Sequence, residues 1–118
     1  MKEETQPKGK RAKEPMPTLE ERETRAVLVA VIRDNQNPDT AHEYLDELEF
    51  LAETANIRSV RRFTQRLPQP LSKIYVGPGK LEEIALWCKE NEIDVAIFDD
   101  ELSPAQTRNI EQAMPCRI

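Results

Sequence analysis

The chain has 118 residues, 33% of them charged and 5% aromatic, and a formal net charge of −5. That length fits one domain with a modest core and a tail, and the acidic balance argues against a generic nucleic-acid binder. The absence of any long apolar run argues against a transmembrane helix, and a polar N-terminus without an apolar core segment argues against a secretory signal.

Residues 1–24 read as a disordered leader, rich in Lys, Glu, Pro and Thr and poor in apolar residues. Its cations, Lys8, Lys10, Arg11 and Lys13, fit either a solvated tail or a polyanion contact. Arg25 to Ile32 is the first predicted strand. Its run Ala26-Val27-Leu28-Val29-Ala30-Val31-Ile32 is apolar at every position, as in a parallel-sheet strand buried on both faces. The turn formers Asp34 to Pro38 end it.

A helix is predicted from Thr40, where Thr40 and Glu43 have capping-box spacing. Tyr44, Leu48, Leu51, Ala52 and Ala55 form its expected apolar stripe, widened by Leu45, and Asn56 is its stop. Ile57 to about Arg66 is a second strand. It is less apolar and carries Arg58, Arg61, Arg62 and Arg66, which suits a sheet edge. A helix between the two strands fits a parallel crossover. A proline-stiffened loop, Leu67 to Lys73, follows, with Ile74-Tyr75-Val76 as a candidate short strand.

A second helix is expected from about Gly79 or Lys80 to Asn91, burying Leu81, Ile84, Ala85 and Cys88 with Trp87 alongside. Asp94 to Asp99 is the third strand. Ser103 and Pro104 read as N-cap and first residue of a third helix, with Ala105, Ile110 and Ala113 on its inner face. Cys116-Arg117-Ile118 looks like the start of a fourth strand, which implies a fragment of a longer chain. The expected fold is therefore α/β, a small mostly parallel sheet of about four strands flanked by helices, with residues 25–118 as the domain.

Three features carry candidate chemistry. Between Asn56 and Leu81 lie six cations, Arg58, Arg61, Arg62, Arg66, Lys73 and Lys80, and no acid; from Asp34 to Asn56 lie seven acids and no Lys or Arg. Such a strip can dock RNA phosphates, or it can pair with the acidic first helix. The turn Gly77-Pro78-Gly79-Lys80 can cradle a phosphate through Gly77, Gly79 and Lys80 at a helix N-terminus, or serve only as a tight turn. It is not a Walker A loop. Asp99-Asp100-Glu101 at a strand end can hold Mg²⁺ or accept a phosphoryl group, or simply favour the following helix start. No catalytic triad is supported around the single histidine, His42. Cys88 and Cys116 lack zinc-site spacing and are expected as reduced, structural thiols of a cytosolic protein.

Tyr75-Val76-Gly77-Pro78-Gly79-Lys80, with Leu81-Glu82-Glu83, resembles a stretch of the HflX-type GTPases. Phe98-Asp99-Asp100-Glu101-Leu102-Ser103-Pro104-Ala105-Gln106, with Arg108-Asn109, resembles that family's longest signature. Arg25 to Val29 and Leu51 to Ala55 are similar to its opening strand and first helix. Pro78 is a small departure at a loose position. The resemblance implies an N-terminal α/β domain that precedes a helical segment and a GTPase domain. It implies association with the large ribosomal subunit and its RNA, with ribosome splitting, and with no DNA. GTP and Mg²⁺ would belong to the GTPase domain, whose motifs this chain lacks, so the segment itself is expected to be non-catalytic and without a bound cofactor. Its partners would be ribosomal RNA and its own GTPase domain. The family's additional nucleotide binding, with ATP as a candidate, maps here onto Gly77, Gly79 and Lys80. The implied location is the cytoplasm, partly peripheral to the membrane in the full-length protein.

Overall fold

The computed structural model describes residues 23–118. Three parallel strands and three helices alternate: β1 (Thr24–Arg33), α1 (Pro38–Thr54), β2 (Ile57–Leu67), α2 (Pro78–Glu90), β3 (Val95–Phe98) and α3 (Pro104–Ala113). The sheet order is β2-β1-β3, so the most apolar strand is central and the arginine-bearing strand lies at an edge. Arg117 adds one parallel bridge to Val95 on the outer side of β3. The expected α/β class and parallel sheet are present, with the fourth strand represented by that bridge. The expected leader lies outside the described residues up to residue 22, and Thr24, assigned to it, instead opens β1.

β1 divides the interior in two. Val27, Val29 and Val31 point into the larger core, where they meet Phe63, Val76, Leu81, Ile84, Cys88 and Ile110. Leu28 and Ala30 point the other way, onto Leu45 of α1. The period-two alternation of a strand thus feeds two apolar layers at once, which is why no polar residue interrupts Ala26 to Ile32.

The start of α1 differs from expectation. Its N-cap is Asn37, whose side chain accepts the Asp39 amide at 2.8 Å, and Pro38 fills the first helical position. Proline needs no amide partner there and holds the preceding residue extended, so Asn37-Pro38 overrides the Thr40–Glu43 box. The stripe also differs. Ala41, Leu45 and Ala52 are buried, whereas Tyr44 and Leu51 are 49% and 62% exposed. Both candidate stripes have helical spacing, and only the helix's rotation on the sheet chooses between them. Asn56 does stop the helix, in the left-handed region at φ 62°.

Two smaller corrections concern the second half. Ile74 to Val76 is not a strand. Leu71 and Tyr75 exchange backbone hydrogen bonds of 3.0 and 2.9 Å across a tight turn. In α3, Ala105 and Ala113 are exposed, and the inner face is Ile110 followed by Met114. The helix begins as expected, with a full Ser103–Gln106 capping box and Pro104 in the first turn.

The rotation of α1 yields a direct test by urea unfolding. Leu45→Ala removes a fully buried side chain and should destabilise by about 2–5 kcal/mol. Leu51→Ala, on the exposed face, should stay within about 0.5 kcal/mol of the parent. Equal losses at both positions would show that the helix is rotated differently.

Candidate functional site

The carboxyl ends of β1 and β3 open into a polar cleft of about 550 Å³, lined by Arg33, Asn35, Tyr44, Tyr75, Asp99 and Asp100 among others. Parallel sheets place ligand crevices at this end, where neighbouring connections leave in opposite directions. At its floor the Tyr75 hydroxyl donates to Asp99 Oδ1. Burial raises the Asp99 carboxyl above the usual range, against the lowering effect of that hydrogen bond. Tyr75 is held neutral, first by burial and then by its bond to Asp99.

Tyr75 is also under backbone strain. Its φ is 70°, and the Val76 amide bonds the Ile74 carbonyl at 2.7 Å, closing a γ-turn around it. That conformation costs about 1–3 kcal/mol in a residue with a Cβ. Three side chains from the segment after β3 hold the loop in place. Asp99 takes the Tyr75 hydroxyl, Gln106 Nε2 donates to the Leu71 carbonyl at 2.8 Å, and Asn109 Nδ2 donates to the Lys73 carbonyl at 3.0 Å. The acids at the end of β3 therefore have a visible structural task at Asp99. Among the described residues, no group of three or more His, Cys, Asp or Glu is placed to hold a metal ion.

The glycine turn is the N-terminus of α2. Gly77 is its N-cap, and the helix starts at Pro78, one residue earlier than expected. The Gly77 amide is already used, donating to Gln65 Oε1 at 2.8 Å, and a Cβ at Gly77 would come within 3.1 Å of the Gln65 side chain. A side chain at Gly77 would therefore need the end of Gln65 to shift by a few tenths of an ångström. Gly79 has open space where a Cβ would sit. Lys80 Nζ lies 3.4 Å from Glu83, one turn along the helix.

The basic strip is distributed by the strand's pleat. A bulge at Val60 lies between Ser59 and Arg61 in the pairing with β1. Arg61 then shares a face with Phe63, its guanidinium 4.3 Å from the Phe63 centroid and 5.1 Å from that of Trp87. Arg62 points to the other face, donating to Asp46 and, at 3.1 Å, to Glu49 of α1. The hydrogen bond to Asp46 holds it more firmly charged, and His42 Nδ1 accepts from its second terminal nitrogen. Arg66 reaches the Arg33 carbonyl at 3.3 Å. Arg58, Arg61, Arg66 and Lys73 are exposed, with Arg58 and Arg61 only 4.0 Å from Glu23 and Glu83.

Comparison with known proteins decides the family. Residues 42–118 match the family model described as GTP-binding GTPase N-terminal. The chain belongs to the N-terminal domain family of HflX-type GTP-binding proteins. It is 44% identical over 94 residues to a GTPase HflX of Flavobacterium psychrophilum, covering 80% of this chain and 23% of that protein. It is 39% identical over 100 residues to one from Lacrimispora saccharolytica, covering 85% and 23%, and 39% identical over 80 residues to one from Escherichia coli, covering 68% and 19%. The chain spans about a fifth of the length of the curated relatives it matches.

In this HflX-type domain, sequence reasoning placed the glycine turn and the Asp99 to Asn109 stretch but missed what joins them. Tyr75, read as a strand residue, is the junction, and Gln65 is the partner of Gly77. No local pattern marks either, because Gln65 meets Gly77 across the loop between β2 and α2, and Tyr75 meets Asp99 across α2 and β3. The Tyr75–Asp99 pair has a testable pH signature. Its folded carboxyl binds a proton more tightly than in the unfolded chain. Its stability contribution is therefore complete below the unfolded carboxyl range and is lost as pH rises through the raised folded pKa. Tyr75→Phe deletes the hydroxyl that favours the carboxylate, so the Asp99 carboxyl pKa should move further up in an NMR titration. An unchanged titration would mean that the hydroxyl does not serve this carboxylate.

Proposed function

We propose that this domain is the ribosome-docking and regulatory module of an HflX-type GTP-binding protein, acting through phosphate contacts to the RNA of the large subunit. What supports the reading is the clamped loop beside an edge strand. Asp99, Gln106 and Asn109 fix the backbone that carries exposed Lys73, and β2 leads into that loop with exposed Arg58, Arg61 and Arg66. Cations on a rigid backbone lose less conformational freedom on binding than cations on a mobile loop. Arg61 is further aligned by the faces of Phe63 and Trp87. Arg62 and Lys80 take a lesser part, since each is paired with acids of its own domain.

The reading assigns this segment no hydrolysis of its own. GTP turnover with Mg²⁺, and ribosome splitting, fall to a GTPase domain in the longer protein, with this domain passing on the docking event. Its place is the cytoplasm, on ribosomes; among the described residues no helix is long and apolar enough to cross a membrane. The reading of Gly77, Gly79 and Lys80 as an ATP or GTP site retains one feature in its favour, the open approach over Gly79 at a helix start without a side-chain cap.

Binding of the chain to isolated large subunits across a salt series tests the docking role. Arg61→Glu, Arg66→Glu and Lys73→Glu should each weaken binding, and neutral replacements should lower the salt slope by about one per lost phosphate contact. Affinity and slope unchanged in all three would remove the proposal. A Lys80→Ala variant that loses ATP affinity while keeping ribosome affinity would instead support the nucleotide reading.

A further inference from the structure

We propose that Cys88 and Cys116 form an oxidisable dithiol, closed to an intramolecular disulfide by a peroxide, that fastens the segment beyond α3 to α2. Both cysteines are free. They come from distant parts of the chain and are brought together by the sheet. Cys88 lies on the inner face of α2 at 1% exposure, inside the larger core. Cys116 precedes Arg117, whose amide donates to the Asp94 carbonyl at 3.2 Å and whose carbonyl accepts from Ala96 at 2.8 Å. Those two bonds seat the segment parallel to β3. Strand alternation then turns Cys116 and Ile118 to the α2 side, where both pack against the core that holds Cys88.

The two thiols are chemically unequal. Contact with Cys116, followed by burial, pushes Cys88 above the ordinary thiol range, while the same contact draws Cys116 below it. Cys116 is also the half-exposed member. The greater exposure of Cys116 makes it the attacking sulfur and leaves buried Cys88 as the resolving one. The Cys116 thiolate attacks one peroxide oxygen, the O–O bond breaks, and hydroxide leaves, giving a sulfenic acid. The Cys88 sulfur then attacks the Cys116 sulfur; the S–O bond breaks, the hydroxyl leaves as water with the Cys88 proton, and the disulfide forms. Sulfur supplies two electrons and the peroxide receives them.

Closure would cross-link α2 to the outer edge of β3 through the loop that contains β3 and α3. It would hold the Cys116–Ile118 segment on the sheet without depending on the single Val95–Arg117 bridge. The expected thiols of a reducing compartment are thus structural while reduced and become a lock when oxidised.

The test treats the whole chain with one equivalent of hydrogen peroxide, followed by peptide mapping and thermal unfolding. The expected product is a monomer lighter by two hydrogens, with Cys88 and Cys116 linked and the Tm raised by roughly 10 °C. Cys116→Ser should leave Cys88 unmodified, and Cys88→Ser should leave a sulfenic acid at Cys116 that dimedone traps. Sulfinic acid or intermolecular dimers at Cys116 with Cys88 still free in the unsubstituted chain would overturn the proposal. The map of that chain decides the matter even where a serine variant does not fold.

Discussion

Everything in this domain is placed by the double-sided burial of β1. Ala26 to Ile32 can satisfy its backbone only through strands on both sides and its side chains only through layers on both faces. β2 and β3 supply the first, and α1 on one face with α2 and α3 on the other supply the second. The two cores are unequal, with Leu28, Ala30 and Leu45 at the centre of the smaller one. A small cluster of that kind leaves little redundancy, so α1 is held chiefly by Leu45 and its neighbours together with the Arg62 ion pairs from β2.

The same central strand creates the cleft. Because β2 and β3 flank β1 in one parallel sheet, Arg33, the loop after it, and Asp99 arrive at one end. The loop between β2 and α2 passes over that end and would otherwise present unpaired carbonyls. Asn109 satisfies one of them, at Lys73, and Gln106 adds a second donor to the Leu71 carbonyl, which the Tyr75 amide already bonds. The left-handed Tyr75 is the point where the chain turns from this loop into α2, and its buried ring and bonded hydroxyl offset the strain. The signature residues after β3 are thus tied physically to the glycine turn before α2, although more than 20 residues separate Tyr75 from Asp99.

Charge follows the pleat. Cations adjacent in sequence, Arg61 and Arg62, reach opposite faces and different fates: one lies over aromatic rings, the other between two carboxylates. Exposed ion pairs at 4.0 Å, such as those of Arg58 and Arg61, contribute little to stability and yield readily to a phosphate. An edge strand with long cations also resists pairing with another sheet, so the residues proposed for the RNA contact also protect the edge.

The residues alone determined whatever depends on near neighbours. An uninterrupted apolar run specified a central strand, arginines between apolar positions specified an edge strand, Ser103-Pro104 started α3, and Asn56 stopped α1. The family resemblance likewise rested on contiguous stretches, and those stretches include Gly77, Asp99, Gln106 and Asn109. Tertiary structure decided whatever depends on rotation or on partners far along the chain. It chose Leu45 over Leu51 for the interior and made Tyr75 a γ-turn where β propensity favoured a strand. It paired Gly77 with Gln65 and Arg62 with Asp46, and brought Cys88 and Cys116 to one core. The physical reason is the parallel sheet itself: each crossover carries a whole helix, so residues that meet across it are separated by more chain than any local pattern spans.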